Sequence, residues 1–194
     1  MARTTRETIV EEADALFYHR GFENTSFADI AEAVKISRGN FYHHFKSKDQ
    51  ILDAVIEERL AETRALLESW EADSEDPADR IRSFIRILIV NGSDIRRFGC
   101  PVGTLNAELA KLDHASMPQA RALFDLFRYW LREQFERLGR ERDADPLAMH
   151  VLMRSQGVAS LANAYGDTAF VEREVNEMCA WLDRVACARG EMGG

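Results

Sequence analysis

At 194 residues, 46% hydrophobic and 30% charged, the chain is long enough to bury one or two cores and too apolar to be disordered. No apolar run approaches the roughly 18 residues of a membrane span, and MARTTRETIVEEA at the amino terminus lacks the apolar region of a secretory signal. A net charge of −8 excludes a molecule that is basic all over, and three cysteines without a CxxC pair favour a reducing cytoplasm over a disulfide framework.

The charge is uneven. Residues 1–50 hold 7 Lys+Arg against 8 Asp+Glu, while the remaining 144 hold 18 against 25. From Ala33 to Lys48 the only charges are Lys35, Arg38, Lys46 and Lys48. A local positive window in an acidic chain is where a polyanion would bind.

In chain order, Ile9, Ala13, Leu16 and Phe17 mark one face of a first helix, which Gly21 can end in a left-handed conformation. Ser26 with Asp29 makes a capping pattern for a second helix carrying Phe27, Ile30, Ala31 and Val34. Lys35, Ile36 and Ser37 break the period, and Ser37 can cap a third helix running through Phe45. On that helix Phe41 and Phe45 point inward with Ile36, which leaves Arg38, Asn40, Tyr42, His43 and His44 on or near the surface. Ser47 with Gln50 repeats the capping pattern and starts a long fourth helix. The second and third helices are too short to stand alone. Together with the first they read as a helix-turn-helix.

The residue types fit DNA. A recognition helix places its first side chains at base edges in the major groove. Arg38 can pair bidentately with guanine and Asn40 with adenine. Tyr42, His43, Lys46 and Lys48 suit phosphate oxygens, which fix register but not sequence. Thr25 and Ser26, at a helix N-terminus, offer hydroxyls and backbone N–H groups to a phosphate. His43 and His44 are adjacent and point in different helical directions, so they do not read as a metal pair.

The run G-F-x-x-T-S-x-x-D-I-A followed by S-R-G-N-F-Y-H-H-F-x-S-K-x-x-I-L resembles the DNA-binding domain of TetR-family transcriptional regulators, over about residues 5–55. The resemblance implies base reading by Ser37–His43 and backbone contacts by Tyr42 and Lys48. One departure is Lys35, where the family usually has Gly. A positive φ there would cost about 1 kcal/mol, and the added charge would favour phosphate. The bland alternative, a three-helix core whose basic residues only solvate its surface, does not account for the linked motifs.

Beyond Ile51 the apolar stripes continue as helices, with an acidic link at 71–79 and a helix start at Asp76–Pro77. Ile81, Phe84, Ile85, Leu88 and Ile89 form a strong stripe that ends near Asn91–Gly92, with a fraying turn through Ile95. GCPVGT at 99–104 opens a short helix, Leu105–Leu112, and is not a phosphate loop because no Lys follows the glycines. Cys100 precedes that helix near Arg96 and Arg97, a setting that would lower a thiol pKa. The alternatives are a packing residue and an electrophile- or oxidant-sensing thiol. Ser116 with Gln119 caps the next helix, whose aromatics exceed packing needs. Phe124 and Phe127 with Phe84, Leu88, Phe98 and Cys100 could line an apolar or aromatic effector site, with Asn106 and Gln156 as polar anchors. Two terminal helices, one from Asp145–Pro146 to Tyr165 and one through Val185, carry small and apolar residues that suit a self-complementary four-helix interface. TetR-like proteins dimerise in that way, and the GCPVG segment resembles a subgroup with a YxaF/LmrA-type regulatory domain.

The expected fold is all-α with about nine helices. Residues 1–50 form a helix-turn-helix DNA-binding domain, and residues 51–194 form a helical regulatory and dimerisation domain. The expected partners are double-stranded operator DNA, a small-molecule effector and a second copy of the chain, without a membrane. No cofactor, metal or catalytic residue is expected. An enzyme with Cys100 as nucleophile lacks an evident base, since His114 has no reason to approach it. A DNA binder that ignores ligands is the remaining alternative.

Overall fold

The computed structural model describes residues 4–187, except for the side chain of Arg38. Those residues form ten α-helices: α1 (Thr5–Arg20), α2 (Phe27–Val34), α3 (Arg38–His44), α4 (Lys48–Asp73), α5 (Pro77–Val90), α6 (Gly92–Phe98), α7 (Pro101–Lys111), α8 (Met117–Arg137), α9 (Ala144–Tyr165) and α10 (Thr168–Cys187). No strand occurs among them, as the all-α reading expects.

Local chemistry sets most of the ends. Thr4 and Glu7 close a capping box on α1, and Gly21 ends that helix at φ 89°. Asp76 accepts the Ala78 N–H at 2.8 Å with Pro77 in the first turn of α5, and Gly166 ends α9 in the left-handed region. One detail departs from the sequence reading: what looked like a fraying turn after Asn91 is a separate helix, α6, stopped by Gly99 at φ 83°. Just before α8 the Ser116 hydroxyl donates to Asp53 at 2.6 Å.

The chain folds as two compact units, Met1–Thr63 with Pro101–Leu123 and Arg64–Cys100 with Phe124–Gly194. This partition differs from a division at residue 50, since α7 and the start of α8 join the amino-terminal helices. In the first unit Ile9, Val10, Ala13 and Phe17 of α1 pack with Ile30, Phe41 and Phe45, with Ile51, Leu52, Ala54, Val55 and Ile56 of α4, and with Leu105, Leu109 and Ala120. Each large apolar side chain sealed there contributes about 1.5–3 kcal/mol. Polar ties reinforce it. Arg59 bridges Asp14 at 2.5 Å and donates to the Pro101 carbonyl at 2.9 Å.

In the second unit α5 packs against α9 and α10, and α6 against α9. Ile81, Phe84, Ile85 and Leu88 meet a core that includes Val151, Val158, Val175, Met178 and Leu182. Glu71 accepts from Trp130 Nε1 at 3.0 Å and from Gln134 Nε2 at 3.1 Å, and Gln134 also accepts from Arg80. These bonds satisfy the polar edges of an otherwise apolar helix face. No helix among the described residues is long and apolar enough to cross a membrane.

Candidate nucleic-acid interface

The geometry of α2 and α3 follows from a short set of local contacts. Ser26 accepts the Asp29 N–H at 3.1 Å, and Asp29 accepts the Ser26 N–H at 2.7 Å, a reciprocal cap. The Ser26 hydroxyl and then its backbone N–H hold the Asp29 carboxyl below its ordinary pKa, because both bonds favour the charged form. Lys35 ends α2 at φ 56°, ψ 35°, so the left-handed turn is made by a lysine. Ser37 then accepts the Asn40 N–H at 3.3 Å and starts α3, which ends at His44 with Phe45 as its extended cap.

Spacing sorts the side chains of α3 by face. Phe41 is fully buried and Phe45 nearly so, and the Phe27 and Phe41 rings meet edge to face at 4.7 Å. Asn40, Tyr42 and His43 of α3 are exposed, as are Lys35 and Ser37 before it, Lys46 after it, and Ser26 at the start of α2. Tyr42 leans on Phe27 at 5.2 Å yet keeps half its surface open. Lys46 Nζ donates to the Tyr42 carbonyl. Gln50 accepts the Lys46 N–H at 2.9 Å, so its side chain reaches one residue further back than the Ser47 cap it was expected to complete. The side chain of Arg38 lies outside the described residues.

Two of the expected contacts are placed differently. Thr25 is fully buried and its hydroxyl donates to the Gly21 carbonyl at 2.8 Å. Its side chain therefore shapes the turn and is not offered to a phosphate. Lys48 is half-buried, with Nζ donating to the Phe22 carbonyl at 2.8 Å and lying 4.1 Å from the centre of the Phe22 ring. One of its three N–H donors is thus committed internally.

The residues expected to hold an effector are partly gathered. In the second unit the Phe84 and Phe127 rings meet at a tilt of 59° with centroids 5.3 Å apart, Leu88 is buried, and Phe98 and Phe124 are half-buried. Gln156 Nε2 lies 3.5 Å from the Cys100 sulfur. Asn106 belongs instead to the first unit, where its amide donates to the Val102 and Ala120 carbonyls at 3.0 and 3.1 Å. Sequence reasoning did not single out a cleft of about 270 Å³ on the second unit, bordered by Leu67, Leu126, Tyr129 and Trp130 with Glu71. Its residues come from α4 and α8, far apart in sequence.

Comparison with known proteins agrees with this geometry. Residues 9–55 match the family model described as bacterial regulatory proteins, tetR family. The structure superposes on a TetR transcriptional regulator from Legionella pneumophila with a TM-score of 0.80 and 28% identity, covering 94% of this chain and 97% of that one. Over residues 9–55 the chain is thus similar to the TetR family. Among curated proteins it is 28% identical to the HTH-type transcriptional repressor DhaR of a Mycobacterium species, over 68% of this chain and 65% of that protein. It is 36% identical to the HTH-type transcriptional regulator TtgR of Pseudomonas putida, over 45% of this chain and 41% of that protein. The chain thus matches less than two thirds of the length of these curated relatives.

Proposed function

We propose that this protein is a dimeric, ligand-responsive transcriptional regulator of the TetR family, acting as a repressor that a small molecule releases from a palindromic operator. The observation that carries this reading is the outward set on α3. Asn40, Tyr42, His43 and Lys46 stand exposed around the buried Phe41 and Phe45, in a segment without any acidic residue, on a chain of net charge −8. The stretch Ser37–His43 reads bases, chiefly through Arg38 and Asn40. Tyr42, Lys35, Lys46 and Lys48, with Ser26, hold phosphates.

Dimerisation is assigned to α9 and α10. On α9, Met149, Met153, Leu161 and Tyr165 are all exposed and recur at helical spacing. A Cβ placed at Gly157, within the same stripe, would meet no atom within 4 Å. An apolar face with a small residue at its centre suits close approach of a second copy. Two reading helices would then enter successive major grooves about 34–36 Å apart.

The effector is assigned to the second unit, on Phe84, Leu88, Phe98, Phe124 and Phe127, with Cys100 and Gln156 as its polar edge. An apolar or aromatic molecule bound there would favour a state with a different spacing of the reading helices. The GCPVGT segment at 99–104 supports placing this part with the YxaF/LmrA-type regulatory domains. A thiol-responsive version of the same regulator would use Cys100. It requires that alkylating Cys100 release DNA and that Cys100→Ser abolish that response.

Selection of bound sequences from a random DNA pool tests the proposal. An inverted repeat with half-sites about 10–10.5 bp apart, or a multiple of that spacing, is expected. Recovery of sequences without any shared motif would sink it.

A further inference from the structure

The turn that ends α1 is held by a side chain from another part of the first unit. Glu108, on α7, accepts the Phe22 N–H through Oε2 and the Glu23 N–H through Oε1, both at 2.9 Å. One carboxylate thus takes two consecutive backbone donors, one on each oxygen. Such a group near the C-terminal end of a helix is disfavoured by the helix dipole. The two amides stabilise it there, since hydrogen bonds to a charged acceptor are the stronger kind.

The surrounding residues fit this contact. Gly21, at φ 89°, has no Cβ, and one built there would stand 3.0 Å from Glu108 Oε1. The glycine therefore makes the turn and also admits the carboxylate. The Phe22 ring meets Phe17 at 5.3 Å and His114 at 5.0 Å, and its carbonyl accepts from Lys48. His114 Nε2 lies 3.5 Å from Asp49 at the start of α4. The next backbone carbonyl bond, from the Thr25 hydroxyl to Gly21, leads directly into the Ser26 cap of α2.

We propose that Glu108 is a positioning residue for DNA recognition: its carboxylate fixes the 21–23 turn, and through it the angle at which α2 and α3 leave α1. The residue touches no DNA itself. This inference rests on the reading of α3 as a DNA-contacting helix. A contact that only added stability could lie anywhere on α1, whereas this one lies on the short link that connects α1 to the reading pair. Its origin on α7 also gives that helix a direct hold on the reading pair within the first unit.

The test uses the full chain, with Glu108→Ala and Glu108→Gln, the latter keeping the size and one oxygen acceptor. Affinity is measured at one salt concentration for the selected operator and for unrelated DNA of equal length. Hydrogen exchange at the Phe22 and Glu23 amides is followed by NMR. Glu108→Ala should lose about tenfold or more in operator affinity while binding to unrelated DNA is unchanged, and Glu108→Gln should fall between it and the wild type. Exchange at Phe22 and Glu23 should accelerate in the same order. Operator affinity unchanged in both variants, with exchange accelerated, would overturn the proposal while leaving the DNA-binding reading intact. If Glu108→Ala does not fold, Glu108→Gln decides: a folded variant with wild-type operator affinity and faster exchange overturns it. A wild-type chain that binds no DNA sequence would remove the underlying reading, and this proposal with it.

Discussion

The α2–α3 pair and the second unit reach function by opposite routes. In α2–α3 the side chains assigned to DNA are exposed, and short-range contacts set their helices: the Ser26–Asp29 cap, the Ser37 cap and the left-handed Lys35. In the second unit the residues assigned to an effector are buried or half-buried, as Phe84, Leu88 and Phe127 are, and helices distant in sequence bring them together. Exposed chemistry on a locally specified scaffold can be read residue by residue. Chemistry inside a packed interior depends on the packing.

The largest expected effect is on that scaffold. Phe41→Ala empties the centre of the first unit's core and should cost about 3–5 kcal/mol, seen as a lowered denaturation midpoint with loss of operator binding. The same loss of DNA binding from Phe127→Ala, without any loss of stability, would break the contrast, because an interior residue of the second unit would then act as directly as one on α3.

Next in size is the surface of α9. Met153→Glu places a charge in the exposed stripe and should shift sedimentation from dimer to monomer, with operator affinity falling about 10²-fold as the two half-sites become independent. A dimer of unchanged stability would remove α9 from the interface.

Lys35 offers a smaller, stabilising change. A lysine at φ 56° bears steric strain that glycine does not. Lys35→Gly should therefore raise stability by up to about 1 kcal/mol while lowering affinity for all DNA slightly. Lys35→Ala, which keeps a Cβ, should not stabilise.

The smallest effect concerns acid. Asp29 has a lowered folded pKa, so its cap contributes fully above the ordinary aspartate value of 3.8. That contribution is lost as pH falls below 3.8 through the depressed folded value. Ser26→Ala should move the Asp29 titration, followed by NMR, back up toward the ordinary range.

Much of the fold was legible because its signals are local. Gly21, Ser26, Ser37, Asp76 and Gly166 each mark a helix end by chemistry that acts over a few residues. The outward set on α3 was legible for the same reason, since Phe41 and Phe45 fix its face. What escaped the sequence involves partners far along the chain. Leu105, Leu109 and Ala120 look like any apolar stripe, and only packing shows that they join the core of the amino-terminal helices. Thr25 could have offered its hydroxyl to solvent or to a carbonyl, and burial decided for Gly21. Asn106 was read as a pocket anchor, and packing shows in addition that its amide N–H groups hold two backbone carbonyls within the first unit.

The central claim is that α3 reads sequence with its first turn while the lysines that flank it, Lys35, Lys46 and Lys48, hold the backbone. Comparing Arg38→Ala with Lys46→Ala tests it most directly. Lys46 is exposed and its bond to the Tyr42 carbonyl is local, whereas Lys48 is half-buried and tied to Phe22. Affinity for the selected operator and for single-base variants is measured across a salt series. Arg38→Ala should cost about 1–3 kcal/mol and erase preference at one position of each half-site. Lys46→Ala should weaken all sequences alike and reduce the salt slope by about one per half-site. Unaltered operator affinity in both variants, with both proteins folded and dimeric, would contradict the account.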